Sequence, residues 1–286
     1  MYQAKMSQIA GMNMHYIHHS FDYFLDSMER LGFKNIEIFA CSPHFLYLDK
    51  ENRESDAKKM GAKIKERGLN VVCITPEQCA YPVNLAARED FISKTSFDYF
   101  EWYIRNCRSF GTDRILVISG YGYYDEPVSE GWKRSVDAVQ RLSRVADTED
   151  VKILFELSLP CEVNLVYDLP TTIQFFKDVA YDKMECLVDT VPVCYNGEKL
   201  ADYFEAFGDK LTHIHLVDGD PVGHSTWGDG TQSLKEHIDA VNQAVYKGYL
   251  TVELENMTYR PDPEAPYKQA LPLLREHLIN DVEMGA

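Results

Sequence analysis

Nowhere in the chain do eighteen apolar residues run together, and the first thirty residues hold no basic segment leading into an apolar one. The first absence argues against a membrane-spanning helix and the second against a secretory leader, so a soluble cytoplasmic protein with no membrane partner is expected. C-x-x-C pairs are also missing: the seven cysteines, at 41, 73, 79, 107, 161, 186 and 194, are scattered and odd in number. That suits reduced thiols rather than a disulfide frame or a zinc knuckle, and Cys161 reads as a packing residue. Basic residues are scarce, 29 Lys and Arg against 45 Asp and Glu, giving a net charge of -16 with no basic, aromatic-interleaved stripe to offset it. Such a chain repels a phosphate backbone, which argues against nucleic acid as a partner. Neutral or zwitterionic small molecules fit better, and an anionic one needs a local arginine or a metal ion to override the field. No glycine-rich phosphate loop follows the first candidate strand, so a dinucleotide fold lacks its cradle.

What the chain does contain is one pattern repeated eight times. Its 286 residues, 45% hydrophobic and 26% charged, suffice for one α/β barrel domain spanning residues 1–286. Candidate strands fall at 6–14, 35–39, 69–75, 114–119, 152–156, 185–189, 212–217 and 249–255. Amphipathic segments follow each. Ser20 is a plausible N-cap for a helix whose Phe21, Phe24, Leu25, Met28 and Leu31 share a face, and Gly32 ends it. Further helices are expected at 90–110, 132–145, 171–179, 199–207, 234–245 and 263–277, with a charged one ending at Gly68. Nearly continuous apolar strands such as IEIF, RILVI and KILF belong in a parallel sheet covered on both faces. Eight such units favour a closed (β/α)8 barrel over an open sheet.

In such a barrel the chemistry gathers where strands end, so a polar residue closing an apolar strand is the informative signal. Four consecutive strands carry one: ILFE at Glu156, CLVD at Asp189, HIH at His215, and TVELE with Glu253 and Glu255. Three carboxylates and an imidazole at one mouth repel or desolvate one another unless a cation neutralises them. An oxygen-rich set with one histidine favours Mn2+, Mg2+ or Co2+, one divalent ion per chain, over structural zinc. Alternation along a strand does not separate His213 from His215, or Glu253 from Glu255, because each pair shares a face.

The stretches LGFKNIEIF, SPHF, ITPEQCAYPVN, FELSLPCEVN, GDKLTHIHLVDGD and YLTVELEN, within roughly residues 20 to 275, resemble the sugar isomerase/epimerase family. These are xylose isomerase-like TIM barrels that include the 3-epimerases of fructoselysine, D-psicose and D-tagatose, and the likeness is strongest to the first. The resemblance implies metal ligation by Glu156, Asp189, His215 and Glu253, choosing the second histidine and the first glutamate of each pair. It also implies that Glu162 meets substrate hydroxyls, that Glu37, His44, Glu77 and His224 line the mouth, and that the chain forms a homo-oligomer, a dimer or tetramer. Two positions depart from the free-ketohexose enzymes: Pro192 and Pro221 stand where those carry a sugar-binding histidine and arginine. The fructoselysine enzyme lacks both contacts too, so their loss points to a substituted or differently sized sugar. The loop from Pro221 to Gly230 is shorter than in the fructoselysine enzyme, a difference that bears on the distal half of the substrate.

The implied chemistry is 3-epimerisation of a ketose, or of a substituted, fructoselysine-like ketose, through a cis-enediolate. One of two opposed glutamates, Glu156 and Glu253, removes a proton and the other returns one. The same constellation would serve an aldose–ketose isomerase, a keto-sugar epimerase or dehydratase, or a C-glycoside-cleaving barrel subunit. A non-catalytic sugar-binding barrel should have lost one of the glutamates or the metal set. An apurinic endonuclease-like protein should carry further histidines and a basic face.

Overall fold

The computed structural model describes residues 2–79 and 82–282. Eight parallel strands close into a barrel in chain order: β1 (Ile9–Met12), β2 (Asn35–Ala40), β3 (Asn70–Pro76), β4 (Arg114–Ile118), β5 (Lys152–Glu156), β6 (Glu185–Asp189), β7 (Leu211–His215) and β8 (Tyr249–Val252). Closure comes from β1 pairing with β8, Ile9 opposite Leu250. A helix follows every strand: α1 (Phe21–Leu31), α2 (Arg53–Glu66), α3 (Asp90–Asn106), α4 (Val128–Glu149), α5 (Leu169–Val179), then α6 (Thr190–Tyr195) with α7 (Leu200–Phe207), α8 (Leu234–Gln243) and α9 (Ala265–His277). Ser20 caps α1 by accepting from the Tyr23 amide, and Gly32 ends it at φ 78°, a left-handed conformation that glycine adopts without a Cβ clash.

Alternation along each strand sorts the side chains into two apolar regions. In β2, Ile36 and Ile38 face outward into the layer shared with the helices, where Phe24, Met28 and Phe100 also pack. Inside the barrel a smaller cluster, including Ala10, Cys73, Leu116, Leu154 and Leu187, fills the lower layers. The small Ala10 and Cys73 among these interior residues suit a barrel that also encloses the bulky polar Glu37 and His213.

Several expected boundaries shift. The first strand is four residues long, because Met6–Gln8 and Met14–Tyr16 wind into 3-10 turns on either side. The seventh stops at His215 and the eighth at Val252, so Glu253 and Glu255 lie just past the ladder; the Glu255 amide bonds the His224 carbonyl at 3.1 Å instead. An unforeseen helix, α6, starts directly after Asp189, whose side chain caps it through the Val191 amide at 2.6 Å. Cys161 is exposed rather than packed.

Candidate metal centre and cavity

Glu156 closes β5, Asp189 closes β6 and His215 closes β7, with Asp189 opposite His215 in the ladder. Glu253 continues the inward face of β8 from Thr251, itself opposite His215. One ligand atom from each of these four residues lies within 4.8 Å of the other three, so a single ion with bonds of about 2.0–2.6 Å can reach them all. The tightest convergence is on His215 Nδ1, 2.9 Å from both Glu156 Oε1 and Glu253 Oε2. Neither contact has hydrogen-bond geometry, and this buried nitrogen has no hydrogen-bond partner. An orphaned imidazole nitrogen facing two carboxylates, with Asp189 alongside, fits a divalent cation.

The opposite edge of His215 is held from below. Its Nε2 lies 3.2 Å from both oxygens of Glu37, a fully buried carboxylate on β2. Glu37 also accepts from Thr75 Oγ1 and sits 2.9 Å from His213 Nε2, which is 2.8 Å from Thr251 Oγ1. A donor at Nε2 leaves Nδ1 with its lone pair toward the carboxylates. Glu37, His213 and His215 form a second group of close ligand atoms, wholly inside the barrel.

Among the described residues, only histidines balance the charge in this cluster. Burial pushes the Glu156 carboxyl up to about 8 against the pull of His215, with Glu253 and Asp189 adding to the rise. Burial likewise raises Glu253, again opposed by His215. For Asp189, burial is outweighed by His224, which holds it below the usual range. Burial would depress His215, but Glu253, Glu37 and Glu156 hold it well above its ordinary value. Among the described residues, no lysine or arginine pairs with Glu156, Asp189 or Glu253.

Above the cluster opens a cavity of about 440 Å3, whose wall includes Glu77, Glu162, His224 and Glu255 with apolar Phe39 and Ile118. Glu162 stands outside the four-residue group; its Oε2 accepts from Ser158 Oγ and, at 3.2 Å, from the Leu159 amide. His224 bridges two carboxylates, with Nε2 2.6 Å from Asp189 Oδ2 and Nδ1 2.9 Å from Glu255 Oε2. Asp218 organises the loop that delivers it: its backbone exchanges hydrogen bonds with Ser225, and its carboxylate accepts from the amides of Gly228, Gly230 and Gln232. Glu77 lines the cavity and accepts from the Cys79 amide at 2.9 Å.

Two expected mouth residues sit elsewhere. Glu37 lies a layer below the cavity, because β2 runs three residues past it to Ala40. His44 is off the cavity wall, its Nδ1 accepting from Asn13 Nδ2 at 2.7 Å and its Nε2 donating to the His19 carbonyl at 3.0 Å. Ala80 and Tyr81 of the ITPEQCAYPVN stretch lie outside the described residues. The wall also holds Glu255 and Arg260, to which the sequence pattern assigns no role: Glu255 shares Glu253's parity, and Arg260 follows the strand in a turn without periodic signal.

Residues 25–277 match the family described as xylose isomerase-like TIM barrel. Fructoselysine 3-epimerase of Shigella flexneri is 27% identical over 260 residues, covering 90% of this chain and 93% of its own. Among solved structures, D-psicose 3-epimerase from Clostridium cellulolyticum H10 with D-tagatose superposes with a TM-score of 0.78 at 17% identity, over 95% of this chain and 99% of that one. A 3-keto-D-glucoside 4-epimerase from E. coli superposes with a TM-score of 0.74 at 16% identity, over 94% of this chain and 99% of that one. The two structural likenesses share the barrel while differing in sugar and in carbon. With nearly the whole barrel inside the matched span, the chain belongs to the xylose isomerase-like TIM barrel family.

Proposed function

We propose that this protein is a divalent-metal-dependent sugar epimerase that inverts a carbon beside the carbonyl of a ketose or substituted ketose. The observation that carries this reading is the placement of Glu156 and Glu253, each 2.9 Å from one atom, His215 Nδ1. They come from strands three apart in an eight-strand ring, so their carboxylates approach a shared point from different sides.

Glu156, Asp189, His215 and Glu253 would hold the ion, which when bound supplies Lewis-acid stabilisation of negative charge on substrate oxygens. The protein's own groups move the protons. One glutamate takes the proton from the carbon beside the ketone, leaving an enediolate, and the other carboxyl returns a proton to the opposite face. Glu162, fixed by Ser158 and the Leu159 amide, accepts from substrate hydroxyls, while Glu37 fixes the His215 ring. His224 orients Asp189 and Glu255 on the wall. The 27% identical relative named for 3-epimerisation of fructoselysine supports carbon 3 of a substituted ketose as the reacting centre.

The test is incubation of metal-loaded protein with candidate ketoses in D2O, followed by NMR of the recovered sugar. Deuterium at carbon 3 together with the inverted epimer is expected. Label confined to carbon 1, with an aldose appearing, would make the protein an aldose–ketose isomerase; no label in any sugar that binds would make it a binding barrel.

A further inference from the structure

Arg260 lines the same cavity as Glu156, Glu162 and Glu255. In so acidic a surrounding an arginine would be expected to pair with a carboxylate, yet its guanidinium makes no ion pair or hydrogen bond to any described residue, and its Nε is buried without a partner. Arginines on or capping the helices are treated differently: Arg30 pairs with Glu264, Arg67 with Asp26 and Arg105 with Glu101. The turn that carries Arg260 is pinned on both sides. Asn256 caps it through the Thr258 amide at 3.0 Å, Tyr259 reaches Asp229 at 2.6 Å, and the Arg260 carbonyl accepts from His19 Nε2 at 2.7 Å. A guanidinium on a fixed turn at the cavity wall, left without an acceptor by the protein, is suited to an acceptor that arrives with the substrate.

We propose that Arg260 anchors a carboxylate on the substrate, so that the natural substrate is a ketose whose substituent carries a carboxylate. This rests on the sugar-epimerase reading for the sugar half of the ligand. The acidic wall selects the kind of anion: a phosphate dianion beside Glu77, Glu162 and Glu255 meets more repulsion than one arginine offsets, whereas a carboxylate brings a single charge in the planar geometry that a guanidinium matches with two parallel hydrogen bonds.

The experiment measures, by calorimetry on metal-loaded protein, binding of a matched pair: the fructose adduct of lysine and the same adduct of lysinamide, which lacks the carboxylate. Native protein is expected to bind the carboxylate form about 10- to 100-fold more tightly. Arg260→Met should bring the pair within about threefold by weakening only the carboxylate form, and Arg260→Lys should restore part of the difference. Equal binding of the pair by native protein, no binding of either, or equal weakening of both by Arg260→Met would overturn the anchor. Tighter binding of D-fructose 6-phosphate than of the lysine adduct would overturn the carboxylate assignment. Deuterium exchange is read separately on the same samples, so a pair that binds as expected without exchange would refute the epimerase reading and leave the anchor standing.

Discussion

Glu185 and Asp189 open and close the same strand, both buried, and the protein treats their charges differently. At the lower end, Glu185 receives Lys152 Nζ, Thr212 Oγ1 at 2.7 Å and Arg114 Nε at 3.4 Å, and these partners hold it below its ordinary value despite burial. At the upper end, the only ion-pair partners of Asp189, Glu156 and Glu253 among the described residues are histidines, and burial raises the two glutamates. A carboxylate that holds the fold together is neutralised by fixed cations from the chain itself. One left without them carries a cost that protonation or a bound cation has to offset, which is the condition expected of a ligand set. Size does not mark it: a cavity of about 800 Å3 lies at the lower end, beside Phe204 and Val245, and gathers no such group of ligands among the described residues.

The strongest way to break this comparison is to remove the carboxylates at the upper end one at a time. Glu156→Gln and Glu253→Gln should each lower epimerisation at least 10^3-fold, roughly the scale of a lost general acid or base. Each variant should still exchange the α-proton of one substrate epimer with solvent through its surviving glutamate, and the two should prefer opposite epimers. Metal content has to be measured alongside, since an amide oxygen ligates more weakly. Metal-loaded variants that exchange the same epimer would refute the opposed pair.

A smaller effect is expected one layer down. Glu37→Gln keeps the volume but loses the charge that His215 and His213 both face. Affinity for Mn2+ or Co2+, read by chelator competition, should fall about 10- to 100-fold, and the visible spectrum of the Co2+ form should change as the His215 ring loosens. Unchanged affinity would mean that Glu37 serves only core packing.

The ends of β5, β6 and β7 were legible in the sequence because an apolar run in a parallel barrel that stops on a carboxylate or histidine puts that side chain at the mouth, where its burial has to be compensated. Choosing between residues two apart was not legible, since His213 and His215 share a strand face and differ only in depth. Depth depends on where the ladder stops, which is set by tertiary pairing. Glu37 shows the same effect: three further residues of β2 place it under the site rather than beside the mouth. Helix α6 was hidden because its N-cap, Asp189, reads first as the end of a strand. The wall residue Arg260 comes from a loop, and His224, reached only through the family resemblance, from another; in both, position is fixed by scattered contacts such as those of Asp218 and His19.

Glu162→Gln tests the wall rather than the floor. Its carboxylate is held by Ser158 and the Leu159 amide and lies outside the four-residue group. KM should rise about tenfold while metal content stays native, the cost of one weakened hydrogen bond to a substrate hydroxyl. Loss of the ion in this variant would move Glu162 among the ligands.

The smallest effect on catalysis, and the sharpest control on the comparison, belongs to Glu185→Gln. Losing this carboxylate leaves Lys152 and Arg114 facing an amide, which should cost about 1–2 kcal/mol of stability, a few degrees in Tm, with turnover and metal affinity unchanged. The pH dependence follows in sign. Because the folded protein holds Glu185 below its ordinary value of 4.5, its contribution to stability is complete above that value. It is lost as pH falls through the lowered folded value, when the carboxylate protonates and releases Lys152. Native protein and variant should therefore differ in Tm at neutral pH and converge in acid. A loss of metal affinity in Glu185→Gln would show that the two ends of β6 are coupled, and the division between a structural and a functional end would have to be abandoned.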